Sequence, residues 1–132
     1  MPFPVELEEI AGALDLYNWF GYWPDFHDAE VINLHLNRAG LSTLVIHTWE
    51  MTKEVDAQGF YVLRKHVVVE FRIKGISGLN LTGFNRQNVL FGLAIAKNDA
   101  GFELSLDPSY GLAGTILAER IKITITPGKP EG

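Results

Sequence analysis

Only one stretch of the chain carries apolar residues at helical spacing. From Val5 to about Asn18, the residues Leu7, Ile10, Ala11, Leu14 and Tyr17 recur every three or four positions, which puts them on one stripe of a helix. Pro4 suits the entry to a helix, and Glu6, Glu8 and Glu9 occupy the first turns, where the helix dipole favours carboxylates. Gly12 is the weak point, costing about 1 kcal/mol relative to alanine in an exposed helix interior. The helix has to end by Gly21 or Trp23, because Pro24 disfavours the α conformation in the residue before it.

After Pro24 the period becomes two. Ile32, Leu34 and Leu36 alternate with polar residues, and Asn37-Arg38-Ala39-Gly40 predicts a hairpin turn. A strand follows from Leu44 to Met51, and the polar stretch from Lys53 to Gly59 reads as a loop. Between Tyr61 and Ile73 the residues Tyr61, Leu63, Val67, Val69, Phe71 and Ile73 share one face. Arg64, His66, Glu70, Arg72 and Lys74 share the other, which is the pattern of an antiparallel sheet with one wet side. Gly75-Ile76-Ser77-Gly78 then punctuates the chain before a shorter strand from Leu79 to about Gly83. Val89, Phe91, Leu93 and Ile95 alternate with Leu90, Gly92, Ala94 and Ala96, and Asn98-Asp99-Ala100-Gly101 predicts another hairpin turn. Phe102, Leu104 and Leu106 continue the alternation until Asp107-Pro108-Ser109-Tyr110-Gly111 breaks it. The last strand carries Ile121, Ile123 and Ile125 and stops at Pro127.

One helix and six to eight mostly consecutive strands predict an α+β domain spanning 1–132, with the N-terminal helix packed on a strongly curved, mostly antiparallel sheet. A single helix cannot cover so many strands, so the expectation is a bent meander that curls around the helix or folds over itself. A chain of 132 residues suits one domain and buries enough surface for a core without staples. With 47% hydrophobic and 20% charged residues, disorder is excluded. The absence of cysteine excludes disulfides, thiolate metal ligands and cysteine nucleophiles. No apolar run approaches a membrane span, and the start at Met1-Pro2-Phe3-Pro4 lacks a basic-then-apolar leader. A net charge of −5 argues against nucleic acid as a partner.

The densest polar cluster is Trp23-Pro24-Asp25-Phe26-His27-Asp28-Ala29-Glu30, where helix gives way to strand. An unbroken pleat aims Asp28 and Glu30 at the face of Ile32, Leu34 and Leu36, which is the expected core, so both need partners, a bulge or a wet mouth. One reading makes His27, Asp28 and Glu30, with Asp107 as an optional fourth member, a metal or acid–base site. The other makes them hydrogen-bonding members of a tight junction. No second histidine stands at zinc spacing, since His35, His47 and His66 are scattered over strands, and no serine stands in a nucleophile elbow. No catalytic residue, metal ligand or cofactor is therefore assigned. Gly111-Leu112-Ala113-Gly114 reads as a turn that lets chain cross chain, with Tyr110 and Asp107 beside it. The aromatic residues Tyr17, Trp19, Phe20, Tyr22, Trp23 and Phe26 read first as a plug between helix and sheet. The alternating cations Arg64, Arg72, Lys74, Arg120 and Lys122 read as a solvated face.

The run from Trp23 to Val31 resembles the motif near the N-terminus of a family of small bacterial immunity proteins of polymorphic toxin systems. Leu106 to Gly114 resembles that family's second recurrent stretch, and Gly83-Phe84-Asn85 resembles its middle. The resemblance implies a cytoplasmic, non-enzymatic α+β protein that binds a cognate protein toxin. Trp23, His27, Asp28, Glu30, Asp107 and Tyr110 are then motif residues of structural or functional role. The acids Glu6, Glu9, Asp15 and Asp25 form the expected partner edge. Two other readings stay open: a small metal-dependent or acid–base enzyme using His27, Asp28 and Glu30, and a curved sheet holding a small apolar ligand. Exposed edge strands make a homodimer a further expectation.

Overall fold

The computed structural model describes residues 3–130. A short 3-10 turn, Val5–Leu7, precedes helix α1, Ala13–Phe20. Six strands follow: β1 Glu30–His35, β2 Ser42–Val55, β3 Tyr61–Thr82, β4 Val89–Asn98, β5 Gly101–Tyr110 and β6 Ala113–Pro127. All pairings are antiparallel, and the sheet curls until it closes into a barrel in the order β1-β2-β3-β6-β5-β4. The strong curvature matches the sequence expectation. The order differs from a simple meander, because the crossover from β3 to β4 takes the chain to the far side of β1 and leaves β3 to pair with β6.

The helical stretch is not continuous. Gly12 has φ +90°, and a Cβ there would lie 1.7 Å from the carbonyl oxygen of Ile123. The chain passes directly over β6 at this point, and the Ile123 N–H donates to Ala11 O (2.8 Å). This break shortens the helix to eight residues and rotates its buried stripe. Ala13, Leu16 and Phe20 enter the core, while Leu14 stays exposed and Tyr17 is half-buried. Lys65, in a bulge of β3 with φ +56°, docks the helix end: its carbonyl accepts from Trp19 Nε1 (3.0 Å) and its Nζ donates to Phe20 O (3.2 Å). A cation is favoured at that end of a helix.

Bulges also correct the expected strand faces. The irregularity at Lys65 turns Tyr61 and Leu63 outward, although Val67, Val69, Phe71 and Ile73 lie in the core as expected. A register shift between Val31 and Asn33 lets both Val31 and Leu34 face inward and exposes Ile32, while Leu36 lies beyond the end of β1 and is exposed. Shifts between Val89 and Gly92 bury Leu90 and expose Phe91. An extra residue on one strand flips every side chain beyond it to the other face. Glycines expected to punctuate β3 instead sit within one strand of 22 residues. The turn at Gly111-Leu112-Ala113-Gly114 does let chain pass chain: a Cβ at Gly114, φ +132°, would meet Asn80 O at 1.8 Å. Both predicted hairpin turns form, with Asn37 Oδ1 accepting from Ala39 N–H and Asn98 Oδ1 from Ala100 N–H.

Candidate functional site

The run from Trp23 to Val31 closes the barrel. Asp25 Oδ1 accepts from His27 N–H (2.9 Å), bending the chain locally. Phe26 and Asp28 both adopt left-handed φ values, +63° and +67°. Such residues cost about 1–2 kcal/mol each outside glycine, with aspartate better tolerated than phenylalanine. The alternation they create drives Phe26 into the core, where its ring meets Phe71 (6.0 Å) and Trp23 (6.2 Å), and turns His27 outward. Burial of an aromatic ring of that size is worth about 1.5–3 kcal/mol and offsets the strain. The backbone then zips onto β4. Leu93 N–H donates to Asp25 O (3.3 Å), Asp28 N–H to Leu90 O (2.9 Å), Leu90 N–H to Ala29 O (2.8 Å) and Val31 N–H to Asn88 O (2.9 Å). Glu30 pairs with Val89 at the same seam.

This geometry places the expected motif residues in three groups. His27 and Asp28 are neighbours at the surface, with Nδ1 and Oδ2 3.3 Å apart, and the His27 ring stands edge-on to Phe91 (5.1 Å). Asp107 lines the same groove as His27 and Trp23. Glu30 does not join them: it is exposed on β1, in register opposite His47. Asp28 and Glu30 therefore do not point into the core, because the left-handed Asp28 and the β1 bulge break the pleat. Tyr110 is exposed on β5 opposite Val89 and lines neither groove beside the motif. Among the described residues no three His, Cys, Asp or Glu side chains gather so as to hold a metal ion.

The segment Trp23 to His27 forms a ridge between two grooves. One groove, of about 440 Å³, runs against Thr48–Met51 of β2 and includes Tyr22, Trp49 and Glu50. The other, of about 650 Å³, runs against Phe91–Ile95 of β4 and includes Glu6, Leu7 and Asp107. Among the described residues four carboxylates, Glu6, Asp25, Glu50 and Asp107, line these two grooves, and no lysine or arginine does. Tyr22 donates its hydroxyl to Glu50 Oε2 (2.9 Å), and Arg64 Nε stands 3.5 Å from Glu50 Oε1. Burial first, then the hydrogen bond and charge of Glu50, push the Tyr22 phenol up to about 12. Of the expected partner edge, Glu6 and Asp25 thus share a groove. Glu9 instead pairs with Lys97 (2.8 Å), and Asp15 lies exposed in the first turn of α1. The aromatic plug forms around buried Phe20 and Phe26, with Tyr22 at its exposed rim.

Three features were not legible as site residues in the sequence. His47 Nε2 and His66 Nδ1 stand 3.0 Å apart on the outer face of β2 and β3, with the Trp49 ring against both. Burial lowers both histidines below their ordinary pKa, and the neighbouring charge of His66 adds to the effect at His47. The shared face of His47 and Trp49 is readable from alternation, but the partner on β3 depends on register. Asn88 is buried and holds three hydrogen bonds at the seam. Lys65 is the bulge that receives α1.

No helix among the described residues is long and apolar enough to cross a membrane. No curated protein and no solved structure matches the chain. A family model described as Immunity protein 50 matches residues 12–128, which takes in α1, the seam and every strand. The chain belongs to the Immunity protein 50 family.

Proposed function

We propose that this protein neutralises a cognate toxin by direct, non-catalytic binding in the cytoplasm, and that the Trp23–His27 ridge with its two grooves is the docking surface. The observation that carries this reading is the composition of the ridge. Aromatic and apolar groups (Tyr22, Trp23, Phe91, Met51) lie beside four carboxylates, of which Glu50 alone has a basic ion-pair partner, Arg64, among the described residues. An apolar centre with a charged rim is the anatomy of a protein interface, and the excess of carboxylates fits a partner with a basic surface. His27 and Asp28 serve this surface by shape and hydrogen bonding. Glu30 lies opposite His47 and away from the His27–Asp28 pair, which favours docking over acid–base or metal chemistry at this run.

The test is co-expression with the cognate toxin and calorimetric titration of the purified pair. Wild-type protein is expected to protect and to bind at one-to-one stoichiometry. The double reversal Glu6→Lys/Asp107→Lys changes two exposed groove carboxylates that hold no side-chain hydrogen bond of the seam, and is expected to weaken binding about tenfold or more, mainly through slower association. Full protection by that variant, with unchanged affinity, removes the ridge from the interface.

A further inference from the structure

The register between β3 and β6 sets Arg72 directly opposite Lys122 and Lys74 directly opposite Arg120. All four alternate with buried Phe71, Ile73, Ile121 and Ile123, so they project from the outer face of the barrel. Cross-strand neighbours have Cβ atoms about 4.5–5.5 Å apart. Residues two apart along a strand are about 6.7 Å apart. Four of the chain's 11 basic residues therefore occupy one cell of the sheet. Like charges facing each other across a strand pair destabilise the sheet.

The local counter-charge does not resolve the repulsion. Glu70 Oε1 accepts from Arg72 Nη1 (2.6 Å), but Lys74, Arg120 and Lys122 have no ion-pair partner within 4.0 Å among the described residues. Glu119 lies across Gly75, and Glu9 is engaged by Lys97. A second observation is independent of the charges. The same four side chains line one concavity of about 510 Å³, together with Glu9, Leu41, Phe102 and Glu119. That volume lies in the range of small-ligand sites.

We infer that this concavity binds a compact phosphorylated anion, with Arg72, Lys74, Arg120 and Lys122 as its cationic lining. A phosphoryl group carries about −1.5 to −2 charge at neutral pH and three strong acceptor oxygens. Two adjacent phosphoryl groups match four cations in so small a cell, whereas carboxylates supply one charge each. Arginine supplies the planar fork and lysine the point charge that together hold such groups. The concave shape and the carboxylates at its edge, Glu9, Glu70 and Glu119, favour a small ligand over a continuous nucleic-acid backbone, which would have to run across them. The site is separate from the toxin-facing ridge and does not depend on it.

The test is calorimetric titration of the full chain with inorganic tripolyphosphate at low salt, beside arms with pyrophosphate, citrate and a 20-nucleotide single-stranded DNA. The expected result is saturable one-to-one binding of tripolyphosphate that weakens with added salt, as screened charges require. The exposed double variant Lys74→Gln/Lys122→Gln is expected to bind about tenfold more weakly. Its melting temperature without ligand is expected to equal or exceed wild type, because two repulsive pairs are relieved. Absence of tripolyphosphate binding, equal binding by the folded double variant, or tighter binding of citrate or DNA than of tripolyphosphate overturns the inference.

Discussion

Asn88→Ala is the single change expected to loosen the seam from inside. The Asn88 side chain is buried, and its Oδ1 accepts from Asn85 N–H (3.1 Å) and Leu112 N–H (3.0 Å). Its Nδ2 donates to Asn85 O (2.7 Å), and its own carbonyl accepts from Val31 N–H (2.9 Å) on the closing strand. The side-chain amide therefore ties the crossover loop to the β5–β6 connection, beside the point where the residue's backbone carbonyl holds the edge of β1. Gly111 packs against it so closely that a Cβ there would stand 2.5 Å from Asn88 Oδ1. Three hydrogen bonds at about 0.5–1.5 kcal/mol each give a loss of about 1.5–4.5 kcal/mol, and the buried Leu112 N–H left without an acceptor pushes the value upward. A loss of about 3 kcal/mol lowers the melting temperature of a chain this size by about 10 °C. Urea unfolding followed by circular dichroism measures it, with exposed Gln87→Ala as the control, expected to stay within about 0.5 kcal/mol of wild type. If Asn88→Ala is no more destabilised than Gln87→Ala, the assignment of Asn88 as the tie between these segments is wrong.

Other expectations follow from the same geometry. Gly12→Ala brings a Cβ against the Ile123 carbonyl and forces a left-handed alanine, so a loss of at least about 3 kcal/mol, or no soluble folded protein, is expected; a melting temperature within a few degrees of wild type contradicts the crossing. His47 and His66 titrate below the unfolded value of 6.5, so the unfolded chain binds protons more readily than the folded one. Stability is therefore full above that value and falls as pH drops through 6.5 and towards the folded pKa values. Thermal melts at pH 7.5 and 5.0 are expected to show this drop, and the His47→Gln/His66→Gln double variant is expected to show a smaller one; an unchanged slope removes the pair as its source. His27→Ala removes an exposed contact with Asp28 and an edge-on ring contact with exposed Phe91, together worth about 1 kcal/mol, so a small fall in melting temperature is expected; a fall as large as that of Asn88→Ala would make His27 a structural residue of the seam.

The sequence pattern was most legible where the ladder runs without irregularity. Phe102, Leu104 and Leu106 of β5 pair with β6 in unbroken register, and their alternation gave their burial directly. It failed at or beside each bulge. Ile32, Leu63 and Phe91 are apolar and correctly spaced, yet face outward, because the extra residue answers to the partner strand and leaves no mark in local alternation. Gly12 was visible as a weak helix position, but the reason it must be glycine lies 111 residues away at Ile123. The same limit governs the site. The Trp23–Glu30 run was legible as a junction between helix and strand. Its left-handed Phe26 and Asp28, which separate His27 from Glu30, were not, since they follow from pairing with β4. The four cations of β3 and β6 looked like ordinary polar alternates until register set them opposite one another.

The measurement that bears most directly on the account is the stoichiometry of toxin inhibition, read as residual toxin activity against added wild-type protein and repeated with Glu6→Lys/Asp107→Lys. A docking protein inhibits linearly up to one molecule per toxin, and the charge reversal shifts the curve to higher concentration while the variant stays folded. Inhibition by far less than one equivalent, growing with time of incubation, would mean that the seam turns its target over and would contradict the reading of the ridge as a binding surface.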